Sequence, residues 1–118
     1  MSITVYNNSD IHISNHSFTG GTSVFLLNSS DVGAEDRLEI LQFRISLGTG
    51  GGTIELGFGD DVGSLSNFDE KRYSEKLTGN IAGGLGLCSI SSSVAGYGII
   101  LEVSQSVSVE GYVKYQVC

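Results

Sequence analysis

Proline is absent from this chain of 118 residues, as is tryptophan, while cysteine occurs twice and methionine once. Average usage would supply roughly six prolines, so turns that commonly begin with proline's fixed φ must be built from Gly, Asn, Asp and Ser. Seventeen glycines serve that purpose, where about eight would be expected. Two cysteines are too few for a disulfide scaffold, and Cys88 and Cys118 have neither CxxC nor Cys/His spacing for zinc. Free thiols are expected in a reducing compartment; a bridge tying down the C-terminus is the alternative in an oxidising one.

Positive charge is equally scarce. Six Lys and Arg stand against thirteen Asp and Glu, for a formal charge of −7. That balance repels phosphate backbones and anionic headgroups, so nucleic acid is excluded as the expected partner. No apolar run approaches the roughly 20 residues of a spanning helix, so no transmembrane segment is expected. The start, MSITVYNNSD, has neither a charged n-region nor an apolar h-region. Cytoplasmic synthesis is the expectation, with release or action outside the cell left open.

What is present is alternation. Segments of period two are separated by Gly, Asn, Asp and Ser clusters, the pattern of an all-β chain, and 118 residues suffice for a single domain over 1–118. Ser2 to Tyr6 and Asp10 to Ser14 read as an N-terminal hairpin around NNSD, with Ile11 and Ile13 opposed to His12 and Ser14. Val24 to Leu27 is a short apolar strand. LEILQFRISL at 38–47 puts Leu41, Phe43, Ile45 and Leu47 on one face and Gln42, Arg44 and Ser46 on the other, and TIELGF gathers Ile54, Leu56 and Phe58. The intervening GTGGGT predicts a hairpin joining 38–47 to 53–58.

Later strands are expected at 85–90, around Ile99, Leu101 and Val103 with Tyr97, and over 111–117 with Val113, Tyr115 and Val117 inward. These amount to about eight strands with little helix, and the regular glycine-rich turns favour a two-sheet antiparallel β-sandwich or jelly roll over βαβ architecture. The predicted core is Leu41, Phe43, Ile45, Ile54, Leu56, Ile99, Leu101, Val103, Val113 and Tyr115. Ser66 to Leu77, with imperfect apolar spacing, reads as a structured loop holding at most a turn or two of helix.

One stretch, GFGDDVGSLSNFDE at 57–70, concentrates acid. Asp60, Asp61, Asp69 and Glu70 are hard oxygen ligands in a glycine-flanked loop, which is calcium chemistry, although the EF-hand spacing is missing. The competing reading is a solvated acidic loop balanced by Lys71 and Arg72. His12 and His16 share a face but stand on the order of 13 Å apart at about 3.3 Å per residue, too far to share one ion on a straight strand. Serines abound without a G-x-S-x-G elbow, Cys88 has no local histidine, and GNIAGGLG lacks the lysine and helix of a phosphate loop, so no enzyme is expected.

With no Trp, ring stacking falls to Tyr and Phe; Tyr6, Tyr73 and Tyr112 lie outside the inward patterns and are expected to be exposed. The leading functional expectation is a non-catalytic, lectin-like protein that binds glycans or glycoproteins through its loops. In it Asp60, Asp61, Asn67 and Asp69 meet hydroxyls and Tyr73 is the stacking ring, with no cofactor beyond calcium. The alternative is a structural jelly-roll subunit of a coat, fibre or capsid, for which a homo-oligomer is expected. A membrane-active β-sandwich toxin is a further alternative, weakened by the acidic charge.

Overall fold

The computed structural model describes residues 11–61, 70–79 and 82–118. Among them nine strands run β1 (Ile11–Thr19), β2 (Thr22–Leu27), β3 (Leu38–Leu47), β4 (Gly52–Gly59), β5 (Glu70–Leu77), β6 (Ala82–Leu85), β7 (Ile90–Ser91), β8 (Gly98–Val103) and β9 (Ser108–Val117). One sheet has the order β1-β9-β3-β6, with β7 also on β3; the other is β2-β8-β4-β5. All pairings are antiparallel.

This order is a wound hairpin. If β6 and β7 are counted as one interrupted position, β4 pairs with β5, β3 with β6/β7, β2 with β8 and β1 with β9, each pair one step further from the central connection. A long antiparallel ribbon rolled so that alternate pairs fall in opposite sheets is a jelly roll. The expected all-β, two-sheet architecture is therefore present, and the strand order selects its jelly-roll form.

The winding overturns one expected contact. Strands 38–47 and 52–59 do not pair: β3 lies between β9 and β6/β7 in one sheet, and β4 between β8 and β5 in the other. The Gly48–Gly51 link crosses between the sheets. It makes a very close approach: a Cβ built on Gly51, at φ +62°, would stand 2.2 Å from the Leu77 carbonyl oxygen. No side chain fits there, so the glycine run serves a corner between layers instead of a hairpin.

Burial follows strand parity, with one shift. Phe43, Ile45 and Leu47 point inward as expected, but so do Leu38 and Ile40, because the β3–β9 register slips between Ile40 and Gln42. Leu41 is the extra residue of that bulge and is only half-buried. Its carbonyl accepts the Cys88 N–H at 2.9 Å from residues 86–89, the excursion that separates β6 from β7 where a continuous strand over 85–90 was expected. The remaining predicted core residues are fully buried except Tyr115, which is half-buried against the core. Val117 is exposed.

The stretch 66–77 is also corrected where it is described. Residues 70–77 form β5, an edge strand on β4 with Tyr73, Glu75 and Leu77 opposite Leu56, Ile54 and Gly52 on the inner face. Residues 66–69 lie outside the described residues, as do residues 2–10 of the proposed N-terminal hairpin. On β1 the inner face carries Ser14, His16 and Phe18, while Ile13, on the opposite face of the strand from Ser14, is 61% exposed. The β1 register with β9, not local alternation, decides which face turns inward.

Candidate functional site

The molecule has two unlike ends. At one, residues 20–21, 48–51 and 104–107 link strands by short turns without a charged residue, and the uncharged Thr78 and Gly79 follow β5 there. At the other lie the longer connections, with Asp31, Glu35, Asp36, Asp60 and Asp61. Asp60 and Asp61 are exposed at the end of β4. Asn67 and Asp69 lie outside the described residues.

Glu70 opens β5 and has its carboxylate engaged. Arg72 Nη2 donates to Oε2 at 2.6 Å, Ser93 Oγ donates to Oε2 at 2.6 Å, and the Ser93 N–H donates to Oε1 at 2.9 Å. Burial pushes the carboxyl up, but these donors outweigh it and hold the group below the usual carboxylate range. Glu70 thus ties the edge strand to the β7–β8 connection. Among the described residues no three His, Cys, Asp or Glu side chains are grouped so as to hold a metal ion.

Tyr73 is half-buried rather than exposed. Its ring meets Phe43 edge-on with centroids 5.0 Å apart, and its hydroxyl donates to Glu75 Oε1 at 2.6 Å. Burial and that acceptor push the phenol up to about 12. Glu75 Oε1 also accepts the Gly84 N–H at 3.2 Å, so an inward carboxylate on β5 closes the seam between the sheets at β6. The ring fills that seam.

The histidines are separate. His12 stacks on Tyr115 with centroids 5.2 Å apart and planes 23° apart, beside a cleft of about 150 Å³ between the sheets that also contains Asp31 and Asp36. His16 Nε2 lies 2.7 Å from Ser14 Oγ, and burial lowers its pKa despite a hydrogen bond to the Leu26 backbone. They form no pair, in keeping with the spacing.

A larger hollow lies elsewhere, on the outer face of the β1-β9-β3-β6 sheet. The register sets Asn15, Tyr112, Arg44 and Gly84 in one row across four strands. Ser17, Glu110, Ser46 and Ala82 make the next row. The open trough over them has a volume of about 590 Å³ and adjoins a second hollow of about 230 Å³ reaching Gln42 and Glu75. Among the described residues neither Arg44 nor Glu110 makes a side-chain ion pair. The outward positions of Gln42, Arg44, Ser46 and Tyr112 are legible as alternation; that β1 and β6 complete the rows depends on the winding.

Among the described residues no helix is long and apolar enough to cross a membrane. No protein-family model matches the chain, and no curated protein matches it. Among solved structures it is similar to a chain described as "nora virus structure", with a TM-score of 0.44 and 11% identity over 99% of this chain and 61% of that one, so it spans less than two thirds of that chain's length.

Proposed function

We propose that this protein is a structural jelly-roll subunit, of the coat, fibre or capsid kind, that associates with further copies of itself along one flank. The observation supporting this is the uneven guarding of its sheet edges. Among the described residues β1 and β2 are the edge strands of the two sheets and lie together on one flank, and residues 11–30, which include both, contain no Asp, Glu, Lys or Arg. On the opposite flank β5 carries Glu70, Lys71, Arg72, Glu75 and Lys76.

Edge strands present unpaired N–H and C=O groups, and proteins that stay monomeric protect them with charged side chains, inward charges or bulges. β5 has all three, its bulge falling at Arg72. β1 is nine residues long and uncharged, with Ile13 exposed; β2 has only the bulge at Leu26. In a chain of charge −7 this flank is where a second copy meets the least repulsion.

Sedimentation velocity over a range of protein concentrations tests the proposal. The wild type is expected to associate reversibly, and Ile13→Lys with Thr22→Glu, both at exposed positions, to sediment as a monomer at the same concentrations. Ser74→Lys on the guarded flank should leave association unchanged. A wild type that stays monomeric throughout would overturn the proposal.

A further inference from the structure

We propose that the trough on the outer face of the β1-β9-β3-β6 sheet is a binding site for an uncharged oligosaccharide. Four adjacent strands about 4.8 Å apart give each row a length of roughly 14 Å, which suits a short chain lying across the strands. A volume of about 590 Å³ is within the range of small-ligand sites.

The lining is selective in its chemistry. Tyr112 stands mid-sheet, half-exposed, where its ring offers an apolar face to a sugar ring. Arg44 beside it is a rigid fork of donors, and Glu110 in the next row is an acceptor. The two charges cancel, in a protein whose overall charge is −7, so the trough favours a ligand without net charge. They are diagonal neighbours on β3 and β9, where opposite charges commonly pair across strands. Here they make no ion pair with each other and stay available to a ligand.

The β6 side is kept low by backbone necessity. A Cβ on Gly84, at φ +136°, would stand 2.3 Å from the Phe43 carbonyl oxygen, so no side chain can rise opposite Arg44. With Ala82 beside it the trough runs open to that edge. A peptide would lack main-chain partners here, because the backbone groups of the inner strands β9 and β3 are committed to their neighbours on both sides. A ligand that hydrogen-bonds through hydroxyls to side chains has no such need.

The test is a ¹H–¹⁵N titration with lactose, cellotriose and N,N′-diacetylchitobiose, each to millimolar excess, at protein concentrations where sedimentation shows monomer. At least one sugar is expected to give saturable shifts confined to 15–17, 42–46, 82–84 and 110–112. Arg44→Ala, exposed and unpaired, should weaken binding at least tenfold with an unchanged melting temperature; Tyr112→Phe should retain binding, and Tyr112→Ala should lose it. No saturable shift with any of the three, or shifts that survive in both Arg44→Ala and Glu110→Gln, would overturn the site. Because these residues carry neither Ile13 nor Thr22, loss of sugar binding with association intact separates this site from the assembly flank.

Discussion

Single side chains explain where the chain resists change. Gly51 is pressed against the Leu77 carbonyl at a positive φ, so Gly51→Ala combines a clash with a strained backbone costing about 1–3 kcal/mol. The melting temperature should fall by several degrees, since about 1 kcal/mol moves a domain of this size by roughly 4 °C or more; an unchanged melting curve would contradict the close approach. His16 gives a pH signature. Its pKa is lowered because burial penalises the cation, so the unfolded chain binds the proton more readily. Stability is therefore full above the unfolded value near 6.5 and declines as pH falls below it, until the folded group also protonates. The wild type should lose more stability than His16→Gln between pH 7 and pH 5, and equal losses would contradict the assignment.

Strands show which parts of the fold local alternation reveals. In β3, Phe43, Ile45 and Leu47 follow period two and are legible, but extending the same parity back places Leu41 inside. The bulge hands that place to Leu38 and Ile40. A bulge is set by the partner strand, so no local pattern reports it. β5 hides for a related reason: EKRYSEKL is rich in good helix formers, and its strand form comes from β4, whose Leu56 and Ile54 stand opposite Tyr73 and Glu75. Of the acidic stretch, composition shows the charge; that Glu70 is held by Ser93 and Arg72 depends on a connection far along the chain. The trough is similar, since alternation marks Arg44 and Tyr112 as outward while only the winding sets them in one row. At this scale Tyr73→Phe should cost about 1 kcal/mol by removing one of the two donors to Glu75, and Phe43→Ala about 3–5 kcal/mol by opening the core beneath. Urea denaturation measures both, and similar losses in the two variants would contradict the packing described.

Across the whole molecule, charge is the organising asymmetry. The longer loops at one end and the β5 flank carry charge, whereas the short turns and the β1/β2 flank do not. Net charge repels copies over a distance set by the screening length, about 10 Å at 0.1 M salt. Association through the uncharged flank should therefore tighten as sodium chloride is raised; weakening with salt would point to ion pairs across the contact instead. The most direct test of the assembly reading is hydrogen exchange measured at dilute and concentrated protein. The account predicts that amides over 11–27 exchange more slowly at high concentration while those over 70–77 do not change. Protection confined to 70–77, or none anywhere, would contradict it.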